Sequence, residues 1–129
     1  MVCLDTDFLV GVLRSNPDVT KKMQELRSRR EPLHATIISE VELYRGAFRA
    51  KDADKEAASV KRLIAELLTL TLDHDSARLA GEIDNKIKSA PVEASDLLIA
   101  AIALANNQTL VTRNIRHFKR VPDLTLESW

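Results

Sequence analysis

The sequence lacks the features that would give this chain a covalent cross-link, a strong overall charge or a membrane span. Its single cysteine excludes an intrachain disulfide, and Cys3 lies in an apolar run that predicts a buried core position. The 19 basic and 19 acidic side chains cancel, so any binding of nucleic acid would need a local basic patch. No apolar run is long enough to cross a bilayer, and the first residues lack the basic flank and the length of a signal peptide. We therefore expect a cytoplasmic protein with no membrane partner.

The chain is also poor in proline and in segments that would divide it. Four prolines and 45% apolar residues in a chain of 129 are the composition of a folded chain rather than a disordered one. This length is sufficient for one buried core. There is no internal repeat, low-complexity tract or linker, and we predict a single domain over residues 1–129.

Short apolar runs alternate with helical patterns along the whole chain. The runs predict strands at 1–4, 33–38, 69–72, 109–112 and about 124–126. The helical patterns predict helices at 8–13, 17–31, 39–49, 55–68, 75–88 and 97–105. Because parallel strands need crossover connections, this alternation predicts an α/β fold, a three-layer α/β/α sandwich around a short parallel central sheet.

Two of the predicted helices carry specific expectations about burial. The helix at 97–105 is apolar on every side, which predicts burial all round, and Ser95 is placed to cap it. In the helix at 39–49, the spacing of Val41, Tyr44 and Phe48 predicts a stripe that faces the core.

Three acidic residues fall near one edge of this sheet, beyond the carboxyl ends of the strands, where such folds bind their ligands. Asp5 ends the first strand, Glu42 lies in the first predicted turn after the second strand, and Asp96 lies in the first turn of the buried helix. Each residue also has a structural explanation. Asp5 can cap the first helix. Asp96 can stabilise its own helix, because its negative charge lies at the positive N-terminal end. Ser39 and Glu42 fit the capping-box pattern.

Three carboxylates at one edge would repel each other unless a proton or a cation lay between them. Oxygen clusters of this kind suit Mg²⁺ or Mn²⁺, which can activate a water for attack on phosphorus and neutralise the leaving oxygen. The spacing alone leaves two interpretations open, a metal site or three independent helix caps.

Five segments of the sequence, in this order, carry a resemblance to a known family. They are LDTDFLV at 4–10, ISEVELYRG at 38–46, ASDLLIAAIAL at 94–104, LVTRNIRHFKRVPDL at 110–124 and the closing ESW. With these segments the chain resembles PIN-domain ribonucleases, specifically the VapC-type toxins of toxin–antitoxin pairs. No single segment is very specific, but their order, their spacing and the total length together are.

The resemblance implies an α/β/α sandwich that hydrolyses RNA phosphodiester bonds with Mg²⁺. It also implies a homodimer and inhibition by a cognate VapB-type antitoxin whose tail lies over the acidic groove. By motif, it makes Asp5, Glu42 and Asp96 the catalytic metal ligands.

The resemblance places a fourth site position in the segment 112–114. Many relatives carry an acid where this chain has Asn114, which brings an amide oxygen but no charge. Thr112 either orients a water or caps the turn. Glu93 either supplies the missing charge or is a solvated loop residue.

Basic side chains near this edge are candidates for contact with the RNA backbone. Arg113, Arg116 and Arg45 are predicted to belong to a positive collar, with ordinary surface solubility as the alternative. His117 is predicted to be a surface residue rather than a general base, and Trp129 to pack the terminus onto the sheet. Aromatic residues make up only 4% of the chain, which gives little support to base stacking.

Two other functions are compatible with the same residues. The chain could be a catalytically weak PIN-like module whose acidic groove binds a basic partner peptide, an alternative that Asn114 keeps open. It could also be a phosphatase that forms an aspartyl-phosphate on Asp5, although Leu9 stands where such enzymes need a small residue.

Overall fold

Five short strands form one parallel sheet in the computed structural model, which describes all residues from 1 to 129. The strands are β1 Val2–Leu4, β2 Leu33–Thr36, β3 Leu68–Leu70, β4 Thr109–Val111 and β5 Leu126–Glu127. They pair in the order β3-β2-β1-β4-β5, and every pairing is parallel. The carboxyl ends of the strands therefore lie at the same edge of the sheet, as the sequence predicted.

Helices cover both faces of this sheet. They are α1 Thr6–Leu13, α2 Pro17–Ser28, α3 Ile37–Phe48, α4 Ala53–Ala65, α5 His74–Lys86, α6 Ala94–Ala105 and α7 Ile115–Phe118. Alternate residues of β1 face opposite cores: Val2 and Leu4 pack with residues of α1 to α4, and Cys3 packs with residues of α5 to α7. The predicted fold class, a three-layer α/β/α sandwich, is confirmed.

The boundary between β2 and α3 lies two residues earlier than the sequence indicated. The strand ends at Thr36 rather than at residue 38, and Thr36 is the N-cap of α3 because its hydroxyl accepts the N–H of Ser39 at 3.1 Å. The prediction also missed the short helix α7 and ended the helix before β3 too late, since α4 stops at Ala65.

The face of α3 that points into the core differs from the predicted one. Val41 and Phe48 are 53% and 64% exposed, while Ser39, Leu43 and Ala47 are buried. Leu43 and the small side chains of Ser39 and Ala47 lie on the buried face. The predicted core stripe is therefore wrong for Val41 and Phe48, whereas Tyr44 packs half-buried against the first core.

Helix α6 is the buried centre of the second core. Residues Ile99 to Ala103 are fully buried, but Leu97, Leu98 and Leu104 are only partly buried and Ala105 is exposed, so the burial predicted for 97–105 is confirmed only for the middle of the helix. The helix begins one residue before Ser95, and its N-cap is Glu93, whose side chain makes no capping bond. The predicted Ser95 cap is therefore wrong. Cys3 is buried as expected, and burial raises the pKa of its thiol to about 12.

The C-terminus is tied down beside the sheet. The carboxylate of Glu127, in β5, forms ion pairs with Lys22 at 2.6 Å and Arg29 at 2.7 Å. The ring of Trp129 packs edge-to-face on Phe8, with ring centroids 5.4 Å apart, and so covers the first core as predicted. None of the seven helices combines the length and hydropathy that crossing a membrane requires.

Candidate active site

Asp5 lies at the centre of the acidic edge, directly after β1. It is only 5% exposed, and both carboxylate oxygens accept hydrogen bonds: Oδ1 from the N–H of Thr6 and Oδ2 from the hydroxyl of Thr112, each at 2.8 Å. Burial raises the pKa of Asp5 from 3.8 to about 6, against the lowering effect of these two bonds. Asp5 therefore caps α1, and it is also a buried carboxylate that lacks a cationic partner.

Thr112 holds Asp5 in place. Its side chain is fully buried, its hydroxyl donates to Asp5, and its oxygen accepts the backbone N–H of Asn114 at 3.0 Å. Of the two predicted roles, the geometry matches the turn cap. Asn114 is the exposed N-cap of α7, and its side chain makes no capping bond, so its amide is free at the edge.

Glu42 ends a chain of hydroxyl groups. Its Oε1 accepts the hydroxyl proton of Thr6 at 2.8 Å, so the 2.8 Å contact between Thr6 and Ser39 must have Ser39 as its donor. The hydroxyl of Thr36 in turn donates to Ser39 at 3.4 Å. All three bonds run in one direction, toward the carboxylate.

The capping box predicted for Ser39 and Glu42 is wrong. Because α3 is capped by Thr36, Ser39 lies inside the first turn and Glu42 lies beyond it. Glu42 therefore has no role at the helix terminus, and its hydrogen bond to Thr6 joins α3 to the acidic edge through the residue next to Asp5.

Thr6→Val tests whether the hydroxyl chain supports activity. Valine keeps the shape of threonine but cannot donate to Glu42, and a hydrogen bond to a charged group contributes about 1.5–3 kcal/mol. We expect kcat/KM for RNA cleavage to fall by about tenfold or more, since each 1.4 kcal/mol is a factor of ten. Thr6→Ser, which keeps the donor, should remain within about threefold of wild type. Equal losses in both variants would exclude the hydroxyl as the cause.

Asp96 reaches the edge from the first turn of α6, and His117 binds it. The Nε2 atom of His117 lies 2.9 Å from Oδ2 of Asp96, and the two side chains are 20% and 25% exposed. His117, predicted to be a surface residue rather than a general base, is partly buried and contacts Asp96. No local signal could have identified this contact, because it joins residues 21 positions apart through two different helices.

Further acids surround this pair and act on its ionisation. Burial raises the pKa of Asp96, His117 lowers it, and the charges of Glu93 and Asp7 raise it. The charges of Asp7 and Asp96 in turn raise the pKa of Asp5. Glu93, predicted to be either a solvated loop residue or a source of charge, acts here together with Asp7. Both contribute negative charge to the acidic edge.

The donor set at this edge suits a hydrated hard cation. The ligand atoms that these carboxylates offer to a metal are all oxygens. His117 contacts Oδ2 of Asp96 and leaves Oδ1 of that carboxylate free. No three His, Cys, Asp or Glu side chains are close enough to enclose a metal by themselves. This open arrangement fits Mg²⁺, which keeps several waters and binds proteins through one or two carboxylates. Burial is the main cause of the raised pKa values of Asp5 and Asp96, and the charges of neighbouring acids, which a bound cation would offset, raise them further.

The three arginines proposed for RNA contact have different surroundings. Arg113 is exposed, and its guanidinium carbon lies 4.0 Å from the centroid of the Trp129 ring. Arg116 is exposed on α7. Arg45 is exposed on the outer face of α3, in a shallow depression with Val41 and Phe48. None of the three forms an ion pair.

A largely apolar groove opens between α1, α3 and α4 next to the acidic edge. Glu42 lines one part of it, which connects the groove to the hydroxyl chain. Gly46 leaves the floor of this groove open, since a Cβ atom at this position would meet nothing within 4 Å. The other lining residues are mostly apolar: Val10, Leu13, Arg14, Leu43, Ala47, Ala50, Glu56 and Val60.

Comparison with known proteins gives consistent results over nearly the whole chain. The model of the PIN domain family matches residues 2–124. Ribonuclease VapC2 of Rickettsia felis is 30% identical over 128 residues, which are 98% of this chain and 96% of the relative. The tRNA(fMet)-specific endonuclease VapC of Salmonella typhimurium is 28% identical over the same shares of both chains.

A solved structure supports the same relationship. The crystal structure of VapBC2 from Rickettsia felis bound to a DNA fragment from their promoter contains a chain that superimposes with a TM-score of 0.90 at 30% identity. The match covers 100% of this chain and 99% of that one.

Proposed function

The chain belongs to the PIN-domain family and is a VapC-type ribonuclease, and we propose that it is a toxin that cleaves RNA phosphodiester bonds at the acidic edge with bound Mg²⁺, or Mn²⁺ as a substitute. The observation that carries this proposal is the state of Asp5. A buried carboxylate with a pKa near 6, repelled by Asp7 and Asp96, is held in a fixed orientation and is not paired with any cation of the protein. Perturbed acids of this kind are typical of catalytic sites.

Each residue of the edge has a separate task in this proposal. Asp5 and Asp96 would hold the metal through oxygens that Thr112 and His117 orient. Glu42, aligned by Thr6, would hold the third position or orient the attacking water. Bound Mg²⁺ supplies a lower pKa for that water and charge neutralisation at the leaving oxygen. Asn114 can offer its amide to water or substrate without adding negative charge.

The direct test is cleavage of an RNA panel by purified, antitoxin-free protein. We expect cleavage with Mg²⁺ or Mn²⁺ and none with EDTA, because the carboxylates alone cannot neutralise charge at phosphorus. The panel should include tRNA(fMet), after which the Salmonella relative is named, together with elongator tRNA, rRNA and mRNA fragments. Asp96→Asn, measured in parallel, should be inactive with either metal and so exclude a contaminating nuclease.

Failure to cleave would point to the other function that the residues allow. If folded protein bound Mg²⁺ yet cut no RNA, the catalytically weak module that binds a basic peptide would replace the nuclease. Restoration of cleavage by Asn114→Asp would then identify the missing fourth charge as the cause. Because its proposed substrate is RNA, we also propose that the protein acts in the cytoplasm.

The groove between α1, α3 and α4 is the site we assign to a VapB-type antitoxin. Its walls are apolar, and Glu42 extends it toward the acidic edge, so it suits a peptide with apolar anchors and a basic end. The complex from Rickettsia felis supports an antitoxin partner in this family. A basic side chain that reached the edge would pair with the carboxylates in place of the metal ion and so block catalysis.

The outer face of α3 is the surface we assign to a homodimer. Val41 and Phe48 are more than half exposed, and Tyr44 stacks on Phe48 with ring centroids 6.1 Å apart. Glu40 lies near one end of this face and Arg49 near the other. A two-fold axis would therefore match acid with base and apolar with apolar residues. It would place Glu40 opposite Arg49 of the second copy and Val41 opposite Phe48.

A charge exchange tests this dimer surface. Glu40→Arg or Arg49→Glu alone would place like charges together twice in the interface, and we expect the dimer Kd to rise at least about tenfold. The double variant Glu40→Arg/Arg49→Glu restores both pairs and should restore the dimer. Sedimentation equilibrium measures all four proteins. A monomeric wild type, or a double variant weaker than either single one, would exclude this surface.

A further inference from the structure

Arg113 is held by an aromatic ring rather than by an acid. Its guanidinium carbon lies 4.0 Å from the centroid of the Trp129 ring, and the side chain forms no ion pair. The central carbon of this planar group lies over the ring. Its N–H donors point outward in the plane and remain available for a ligand.

Trp129 is a fixed platform although it is the last residue. Its ring packs edge-to-face on Phe8, which is completely buried in the first core. Two residues earlier, Glu127 is bound by Lys22 and Arg29, so the chain end is anchored from both sides. A guanidinium stacked on this ring therefore loses much of the rotational freedom that an exposed arginine normally has.

The backbone of Arg113 is fixed directly at the acidic edge. The residue before it, Thr112, donates its hydroxyl to Asp5, and the residue after it, Asn114, donates its N–H to the Thr112 hydroxyl oxygen. Arg113 is thus an unpaired cation within a few bonds of the carboxylates. A cation at this place attracts the phosphates of RNA, which the carboxylates of the edge repel.

We infer that Trp129 is a positioning residue that holds Arg113 ready to bind a phosphate of the RNA backbone beside the cleaved bond. This inference rests on the proposed function, since it names a substrate contact of the same site. A planar guanidinium can bind two phosphate oxygens at once, and the contact with Trp129 restricts where that guanidinium lies. This phosphate contact therefore requires an arginine at position 113 and an aromatic ring at position 129.

The test is binding of a fluorescent single-stranded RNA to Asp96→Asn protein with Mg²⁺, measured over a series of salt concentrations. Arg113→Ala should weaken binding about fivefold to tenfold and reduce the slope of log affinity against log salt by about 0.7, the value for one lost contact on a single strand. Trp129→Leu should cause most of the same loss. Trp129→Phe should retain the contact, because phenylalanine still offers a ring face.

The decisive comparison is Trp129→Leu in the presence and absence of Arg113. We expect no further loss in Arg113→Ala/Trp129→Leu, because the two residues act through one phosphate contact. Arg113→Lys should keep the salt slope but weaken binding, since lysine keeps the charge without the planar fork. Equal effects of Trp129→Leu in both backgrounds, with an unchanged salt slope, would overturn the inference and leave only a structural role for the ring.

Cleavage by the wild-type protein separates this inference from the function on which it rests. If wild type cleaves RNA and the two residues prove independent, only the positioning role is overturned. If wild type neither binds nor cleaves RNA in the panel, the proposed function fails and the inference fails with it. Trp129 is the only tryptophan of the chain, so a change in its emission on RNA addition reports the contact directly.

Discussion

Asp5→Asn should yield a folded protein that cleaves RNA at least about 10³-fold more slowly than wild type. A bound metal ion stabilises the charge of the transition state by several kcal/mol, and each 1.4 kcal/mol is a factor of ten in rate. The substitution is nearly isosteric. The amide oxygen can still accept the N–H of Thr6, and the amide nitrogen can donate to the hydroxyl oxygen of Thr112. The geometry of the edge is therefore retained while the negative charge is removed.

The same variant should be more stable than wild type at neutral pH when no metal is present. The folded-state pKa of Asp5 is raised from 3.8 to about 6, so as pH rises the unfolded chain loses this proton first. The free energy of unfolding of the wild type should therefore fall between about pH 4 and pH 6. At about 1.4 kcal/mol for each pKa unit, the loss amounts to about 3 kcal/mol. The side chain at position 5 of Asp5→Asn does not titrate, so the free energy of unfolding of this variant should not fall over the same pH range.

Urea unfolding in EDTA at pH 4.5 and pH 7.5 measures this difference, and the same experiment with Mg²⁺ should restore stability to wild type but not to Asp5→Asn. Asp84→Asn, on the exposed side of α5, is the matched control and should change neither activity nor pH dependence. If Asp5→Asn cleaved RNA at a normal rate, Asp5 could not be an essential ligand. If it were unfolded at pH 7.5, the capping role of the residue would dominate.

Gly46→Leu should release the toxin from its antitoxin while the free enzyme stays folded. A side chain at this position enters the groove between α1, α3 and α4, where a Cβ atom meets nothing within 4 Å. Leucine is also a better helix former than glycine by up to about 1 kcal/mol, so the thermal stability of the free protein should not fall. Filling an anchor pocket costs about 2 kcal/mol or more, and the antitoxin Kd should rise at least about 30-fold.

The control for this variant is a second glycine in a helix. Gly81 in α5 is also exposed, and a Cβ atom there likewise meets nothing within 4 Å. Gly81→Leu should therefore match Gly46→Leu in stability while the antitoxin still binds. Titration of each toxin with its VapB-type antitoxin, with RNA cleavage as the readout, compares them. Unchanged inhibition of Gly46→Leu would place the antitoxin on another surface.

The sequence by itself determined the succession of the strands and of the six longer helices along the chain, and the edge of the sheet at which the chemistry lies. Strand-length apolar runs and helical periods are local patterns, and a parallel sheet brings all strand ends to one side. Asp5 and Asp96 could therefore be assigned to a common edge from their places beside a strand and at a helix start. The burial of Cys3 and of Ile99 to Ala103 followed equally from continuous apolar runs.

Only the tertiary structure decided which atoms meet at that edge. The rotation of α3 about its axis depends on what packs against it, and it buried Ser39 rather than Val41, so that the hydroxyl chain reaches Glu42. Contacts such as His117 with Asp96 and Arg113 with Trp129 join residues from separate elements. No periodicity encodes them, because each depends on the relative placement of two elements to within about an ångström, the tolerance of a hydrogen bond.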